Sequence, residues 1–259
     1  MTLYILGNGF DLAHGLNTRY SDFRDYLANS KNDDFKLLKE QLDDLYDQDE
    51  LWSDFEKALG NPNLEIINKI NSAWGLNLFD ESFFGQIKSA FESWIRHVDN
   101  QIKTIKPIYP FSDDSFITFN YTTTLETTYQ IHDDKILHIH GYVIESYFKT
   151  GTFVLGHNKE INKDSPEIIK VTKKDTSKVI ANNSQILKEF MSQCDEVKII
   201  GFSYSDIDLP YFIYLTNLNR NAVWNFGYYF DNDKEKIQEY ITAMGLEPYQ
   251  VKLFCTDNR

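Results

Sequence analysis

Residues 3–11 read Leu3-Tyr4-Ile5-Leu6-Gly7-Asn8-Gly9-Phe10-Asp11. A short apolar run that stops at a glycine marks a strand buried on both faces, and the paired glycines let the chain turn tightly behind it. Outward from this stretch the same punctuation recurs. Phe116–Phe119, Ile136–Ile139, Val197–Ile200 and Val223–Phe230 are further apolar runs, and Val251–Cys255 is expected to be the last strand. Between Tyr20 and Ile105 the period changes. Phe35, Leu38, Leu42 and Leu45 are spaced by three and four, as are Phe84, Ile87, Phe91, Trp94, Ile95 and Val98, which is the spacing of helices with one apolar face. The expectation is an α/β, Rossmann-like fold: a mostly parallel sheet flanked by helices, with a large helical insertion after the first strand. Residues 1–259 are expected to form one such domain. Residues 20–105 form the insertion, a lid packed on the sheet, with a separate unit having its own core as the alternative. Residues 157–183 carry Lys159, Lys163, Lys170, Lys173, Lys174 and Lys178 and are expected to be a positively charged surface excursion.

The chain has 259 residues, of which 42% are hydrophobic and 25% charged, a globular composition with enough apolar mass for a sizeable core. Lys plus Arg is 26 against 39 for Asp plus Glu, a net charge of −13, which opposes general nucleic-acid binding because phosphate contact needs clustered cations. Cys194 and Cys255 are too few for a four-cysteine zinc ribbon or a secreted disulfide framework. The first residues lack a positively charged leader, and no apolar run approaches the ~18 residues of a bilayer span. A cytoplasmic protein without membrane association is expected. Aromatic residues reach 15%, which serves the core and leaves a homo-oligomer interface open.

Four stretches carry residues suited to chemistry. Gly7-Asn8-Gly9-Phe10-Asp11 places glycines where backbone amides can approach a pyrophosphate. A dehydrogenase fingerprint would add a third glycine at position 12, where this chain has Leu12, so hydride transfer is disfavoured and a plain strand-to-helix turn is the competing reading. Asn120, in Phe116-Ile117-Thr118-Phe119-Asn120-Tyr121-Thr122, offers an amide and a carbonyl at a strand end, suited to a ribose hydroxyl or a water. In His138-Ile139-His140-Gly141 the alternation of a strand puts both imidazoles on one face. They read as a metal pair with His157, Asp206 and Asp208, as a general base, or as satisfied core histidines, the last fitting His138 better than His140. Gly201-Phe202-Ser203-Tyr204-Ser205-Asp206-Ile207-Asp208 offers a second cradle at Gly201 and Ser203, with Asp206 and Asp208 also placed to cap a helix. Glu56, in Trp52-Ser53-Asp54-Phe55-Glu56, adds a carboxylate from the helical block.

In order along the chain, Gly-Asn-Gly-Phe-Asp, Trp-x-Asp-Phe-Glu, Phe-Asn-Tyr-Thr, His-Ile-His-Gly and Gly-Phe-Ser-x-Ser-Asp-Ile-Asp resemble the bacteriophage abortive-infection AbiH family from about residue 3 to about residue 215. More distantly the layout resembles sirtuin-type NAD-binding domains. That resemblance implies an antiphage protein that binds NAD and cleaves its nicotinamide–ribose bond. Asn120 and His140 would be catalytic, with Gly7, Asn8, Gly9, Phe10, Asp11, Gly201, Ser203 and Asp206 around NAD. No metal is expected. The two cysteines cannot supply the zinc module of sirtuin deacylases, so acyl-lysine transfer is not expected. A non-catalytic NAD or ADP-ribose sensor and a metal-dependent nuclease or phosphodiesterase are the alternatives. The resemblance leaves a phage-derived trigger open.

Overall fold

The structure, a computed structural model, describes residues 1–111, 114–143 and 153–256. Strand β1 (Thr2–Leu6) turns into the short helix α1 (Asn8–Ala13). Six helices follow: α2 (Tyr20–Asn29), α3 (Asp33–Leu45), α4 (Gln48–Ser53), α5 (Phe55–Ala58), α6 (Leu64–Trp74) and α7 (Glu81–Ile102). The chain then runs through β2 (Ser115–Thr118), α8 (Thr124–Tyr129) and β3 (Ile136–His138). After these come α9 (Glu167–Val171), α10 (Thr176–Ser192), β4 (Glu196–Ile200), α11 (Leu209–Leu218), β5 (Val223–Tyr228), α12 (Asp233–Met244) and β6 (Val251–Cys255). By their contacts these residues divide into two compact units, taking the described residues only. One unit is Met1–Asn17, Val98–Phe153 and Thr176–Arg259, and the other is Thr18–His97 with Val154–Asp175. Among the described residues no helix is long and apolar enough to cross a membrane.

The first unit is built on a six-stranded sheet in the order β3-β2-β1-β4-β5-β6, parallel throughout. This is the Rossmann order, and the α/β, Rossmann-like expectation is met. The central strands are buried on both faces because helices cover a parallel sheet from either side. Leu3, Ile5, Phe116, Val197, Ile199, Trp224 and Phe226 are all essentially inaccessible. The chain adds β2 and β3 on one side of β1, then returns to lay β4, β5 and β6 on the other. The order therefore reverses between β1 and β4, whose register pairs Leu6 with Ile200.

Strand ends differ from the sequence reading by a residue or two, and β5 shows why. The apolar run Val223–Phe230 continues past the strand, yet β5 stops at Tyr228. The Asp233 carboxylate accepts from the backbone N–H groups of both Tyr229 and Phe230, at 3.0 and 2.8 Å, and turns the chain into α12.

The second unit is helical, with the periodic residues of α3 and α7 forming much of its core. Phe23 is fully buried and packs edge-on to Phe55 and Phe91, with Trp94 5.2 Å away. Side chains cap helix after helix: Asn32 accepts from Asp34 N, Asp47 from Glu50 N, Asp54 from Lys57 N and Asn63 from Glu65 N and Ile66 N.

Of the expected surface excursion at 157–183, Lys159, Lys163, Lys173 and Lys178 are exposed as expected, while other parts of the segment are corrected by the structure. Residues 167–171 and 176 onward are helical, and His157, Ile168, Ile169, Thr172, Lys174 and Val179 are buried. The polar groups are buried because each is satisfied. His157 Nε2 donates to Ile169 O at 2.9 Å while Nδ1 accepts from Lys159 N at 3.0 Å, an arrangement that fixes the neutral tautomer. The Lys174 ammonium lies 3.5 Å from the Glu56 carboxylate, which also accepts from Gly156 N. Glu56, the carboxylate that the helical block supplies, is thus a buried partner within the helical unit.

Candidate functional site

Ligands of open α/β sheets bind beyond the carboxyl ends of the strands where the order reverses. Here that edge lies in the sheet unit and gathers the turns after β1, β2, β3 and β4. The turn after β1 packs directly on the turn after β4. Gly9 N donates to Gly201 O at 2.7 Å, and Gly7 N donates to Ile200 O at 3.0 Å. A Cβ on Gly9 would stand 2.6 Å from Gly201 Cα, and one on Gly7 would stand 2.6 Å from Gly201 O. Gly201 itself takes φ +64°, the left-handed region, and a Cβ there would meet Phe10 N. The glycines are therefore required by the contact between the two turns.

Asn120, at the end of β2, joins the same contact. Its side-chain amide donates to Gly7 O at 3.1 Å, and its backbone carbonyl accepts from His138 Nδ1 at 3.1 Å. The structure thus brings Gly7, Gly9, Gly201 and Asn120 together. Asn8, Ser203 and Asp206 lie beside them with their surfaces exposed. Phe10 goes the other way: it is 1% exposed and belongs to a core cluster with Leu6, Phe116 and Leu125.

The two histidines separate. His138 Nε2 is 2.7 Å from Glu126 Oε1, and the ring stacks on Tyr142. His140 is 3% exposed and is flanked by Phe119 and Tyr211, with ring centroids at 5.0 and 5.5 Å. Its Nε2 faces Asp208 Oδ1 at 3.7 Å. Asp208 is the N-cap residue of α11, but its side chain makes no capping hydrogen bond. Among the described residues no group of three His, Cys, Asp or Glu side chains is disposed to hold a metal ion, so the metal-dependent reading finds no ligand set there.

Beneath this edge is a cluster of acids that sequence reading only partly found. Asp11 is 1% exposed and accepts from the Thr122 and Thr124 hydroxyls at 2.6 and 2.8 Å. Burial pushes its carboxyl up to about 6 against the pull of those two hydrogen bonds. Asp99, on α7, accepts from Thr123 N at 3.0 Å, and burial pushes it up to about 7, with Asp11 and Glu126 adding to the rise. The Asp11 contacts join residues 111 and 113 positions apart, which leaves no local signal in the sequence. Asp99 sits in an ordinary helical pattern and gave none.

The family model for bacteriophage abortive infection AbiH matches residues 3–83 and 76–228, well over half of the sequence. The chain belongs to that family. The matched span contains every turn of the edge just described, together with Asp11, Asp99, Asp208 and the Glu56 motif. Membership in the AbiH family gives the protein a role in abortive infection, the antiphage response in which the family is defined.

Proposed function

We propose that this AbiH-family protein binds NAD at the carboxyl edge of its sheet and hydrolyses the nicotinamide–ribose bond. The observation that carries the reading is the reversal of strand order between β1 and β4. It gathers Asn120, the His140–Asp208 pair and the exposed Asn8, Ser203 and Asp206 at one edge. In the reaction the bond between ribose C1′ and the pyridinium nitrogen breaks, nicotinamide leaves neutral, and water adds to C1′. No acid is needed for the leaving group. The chain has to orient water, accept its proton and stabilise an oxocarbenium-like centre. Asn120, its side-chain amide anchored on Gly7 O, orients ribose or water with its side-chain carbonyl. His140 accepts the proton, and the imidazolium so formed lies 3.7 Å from the Asp208 carboxylate, which offsets its charge. Asp11 and Asp208 add negative potential for the developing cation.

The test is nicotinamide release from NAD followed by chromatography. His140→Ala is expected to lower turnover by about 10²-fold or more with the fold intact. Asn120→Ala is expected to cost more than Asp206→Ala. Asp208→Asn should move the acid limb of the pH profile to lower pH, because losing a neighbouring carboxylate lowers the pH at which an imidazole gives up its proton. Undiminished turnover in His140→Ala would remove that histidine from the chemistry. The 3% exposure of His140 favours a second reading, binding of NAD or ADP-ribose without cleavage. Saturable NAD binding with no nicotinamide released would select it.

A further inference from the structure

We infer that this site holds its ligand by the cationic nicotinamide–ribose end and leaves the phosphates outside the opening glycine turn. The inference rests on the NAD reading above and departs from how a Rossmann-type turn ordinarily holds a dinucleotide. In that arrangement the glycines clear space for the pyrophosphate, and the amides at the start of the helix donate to it. Neither provision is open at Gly7, Gly9 or Phe10. Gly7 N, Gly9 N and Phe10 N already donate to Ile200 O, Gly201 O and Gly7 O, at 3.0, 2.7 and 2.9 Å. The space a Cβ would fill at Gly7 and Gly9 is taken by Gly201 and Phe202. What approaches the glycines is the neighbouring turn of the same protein.

Charge points the same way. Residues 7–18, 119–131, 139–143 and 201–219, which leave the ends of β1, β2, β3 and β4, contain no Lys or Arg. The same stretches carry Asp11, Glu126, Asp206 and Asp208, and Asp206 is exposed. With no Lys or Arg these stretches offer phosphate no fixed cation, and the exposed Asp206 carboxylate favours a positively charged ligand. Oxidised nicotinamide bound to ribose is a cation, whereas the reduced base is neutral. The exposed Asn8 amide and Ser203 hydroxyl suit the two hydroxyls of a ribose, each able to donate and accept.

The experiment compares nicotinamide riboside, NAD, reduced NAD and ADP-ribose by calorimetry. The intact chain carries His140→Ala to slow ligand consumption, and thermal shifts of the wild type with the same four compounds guard against a misfolded variant. Nicotinamide riboside and NAD are expected to bind within about threefold of each other. Reduced NAD and ADP-ribose are expected to bind at least about tenfold more weakly, and Asp206→Asn to narrow the gap between the oxidised and reduced forms. ADP-ribose binding as tightly as NAD, with the riboside silent, would show the phosphates to be the anchor. It would overturn the inference and leave NAD binding standing. Reduced NAD matching NAD would overturn it through the charge argument. Failure of all four to bind would overturn the NAD reading and the inference with it.

Discussion

Gly9 and Gly201 sit at a junction where one methyl group decides between two accounts of the opening motif. If the glycines served only a ligand, Gly9→Ala would leave the empty protein as stable as before and weaken binding. The geometry says otherwise, because the added Cβ would stand 2.6 Å from Gly201 Cα and 2.9 Å from Gly201 O, both backbone atoms that cannot rotate away. Overpacking of this kind costs about 1–3 kcal/mol, and for a chain of this size the melting temperature should fall by roughly 2–4 °C per kcal/mol. Gly201→Ala should be worse, since its φ of +64° adds backbone strain to the clash. Ligand-free thermal denaturation checks this, and an unshifted melting temperature for Gly9→Ala would return the glycines to the ligand. The sequence announced that two glycines were needed at this turn. It could not say what came close to them, because the approaching atoms belong to a residue nearly two hundred positions away. Asp208 is a parallel case. Its place before a helix advertised a cap, and only the fold shows its carboxylate turned to His140.

At the scale of elements, all six strands were legible as largely apolar runs ended by glycine or a polar residue, because a parallel sheet hides both faces of its central strands, although the edge strand β6 stays half-exposed to exposed. The long amphipathic helices α3 and α7 were legible for the complementary reason, one buried stripe each. The segment from 154 to 175 was not. Lys174 reads as solvent-facing like the lysines around it, and a buried ion pair leaves no periodic trace because its two partners are 118 residues apart. The Lys174 side chain is fully buried against Glu56 in the helical unit. Removing one partner of such a pair is far more damaging than replacing both, since a lone charge is left without the counter-charge that justified its burial. Lys174→Met is therefore expected to destabilise the protein by about 3–5 kcal/mol, lowering the melting temperature by roughly ten degrees. The double variant Glu56→Gln/Lys174→Met should recover a good part of that loss. Equal losses in the single and double variants would show that the pair holds no buried charge in balance.

For the molecule as a whole, the acids under the candidate site tie global stability to pH. Burial raises Asp11 from 3.8 to about 6 and Asp99 from 3.8 to about 7, so the folded state holds two protons that the unfolded chain gives up more readily. The groups that face them are the hydroxyls of Thr122 and Thr124, the Thr123 amide, Glu126 and His138. A carboxyl raised in the folded state contributes stability that is complete below its unfolded value and is lost as pH climbs through the folded one. Each unit of displacement is worth about 1.4 kcal/mol, so the two acids together should withdraw stability on the order of several kcal/mol between about pH 4 and pH 8. The usual carboxylate, lowered by a salt bridge, works in the opposite sense. Asp99→Asn removes the more strongly displaced group while keeping a carbonyl oxygen for the Thr123 N–H. The variant should lose less stability than the wild type as pH rises from 6 to 8, and above pH 7 it should be the more stable of the two. Melting temperatures at half-unit steps across that range provide the measurement. Parallel curves for the two proteins would mean that Asp99 is ionised throughout, and that the threonine run and the Asp99 amide contact hold a charged carboxylate after all.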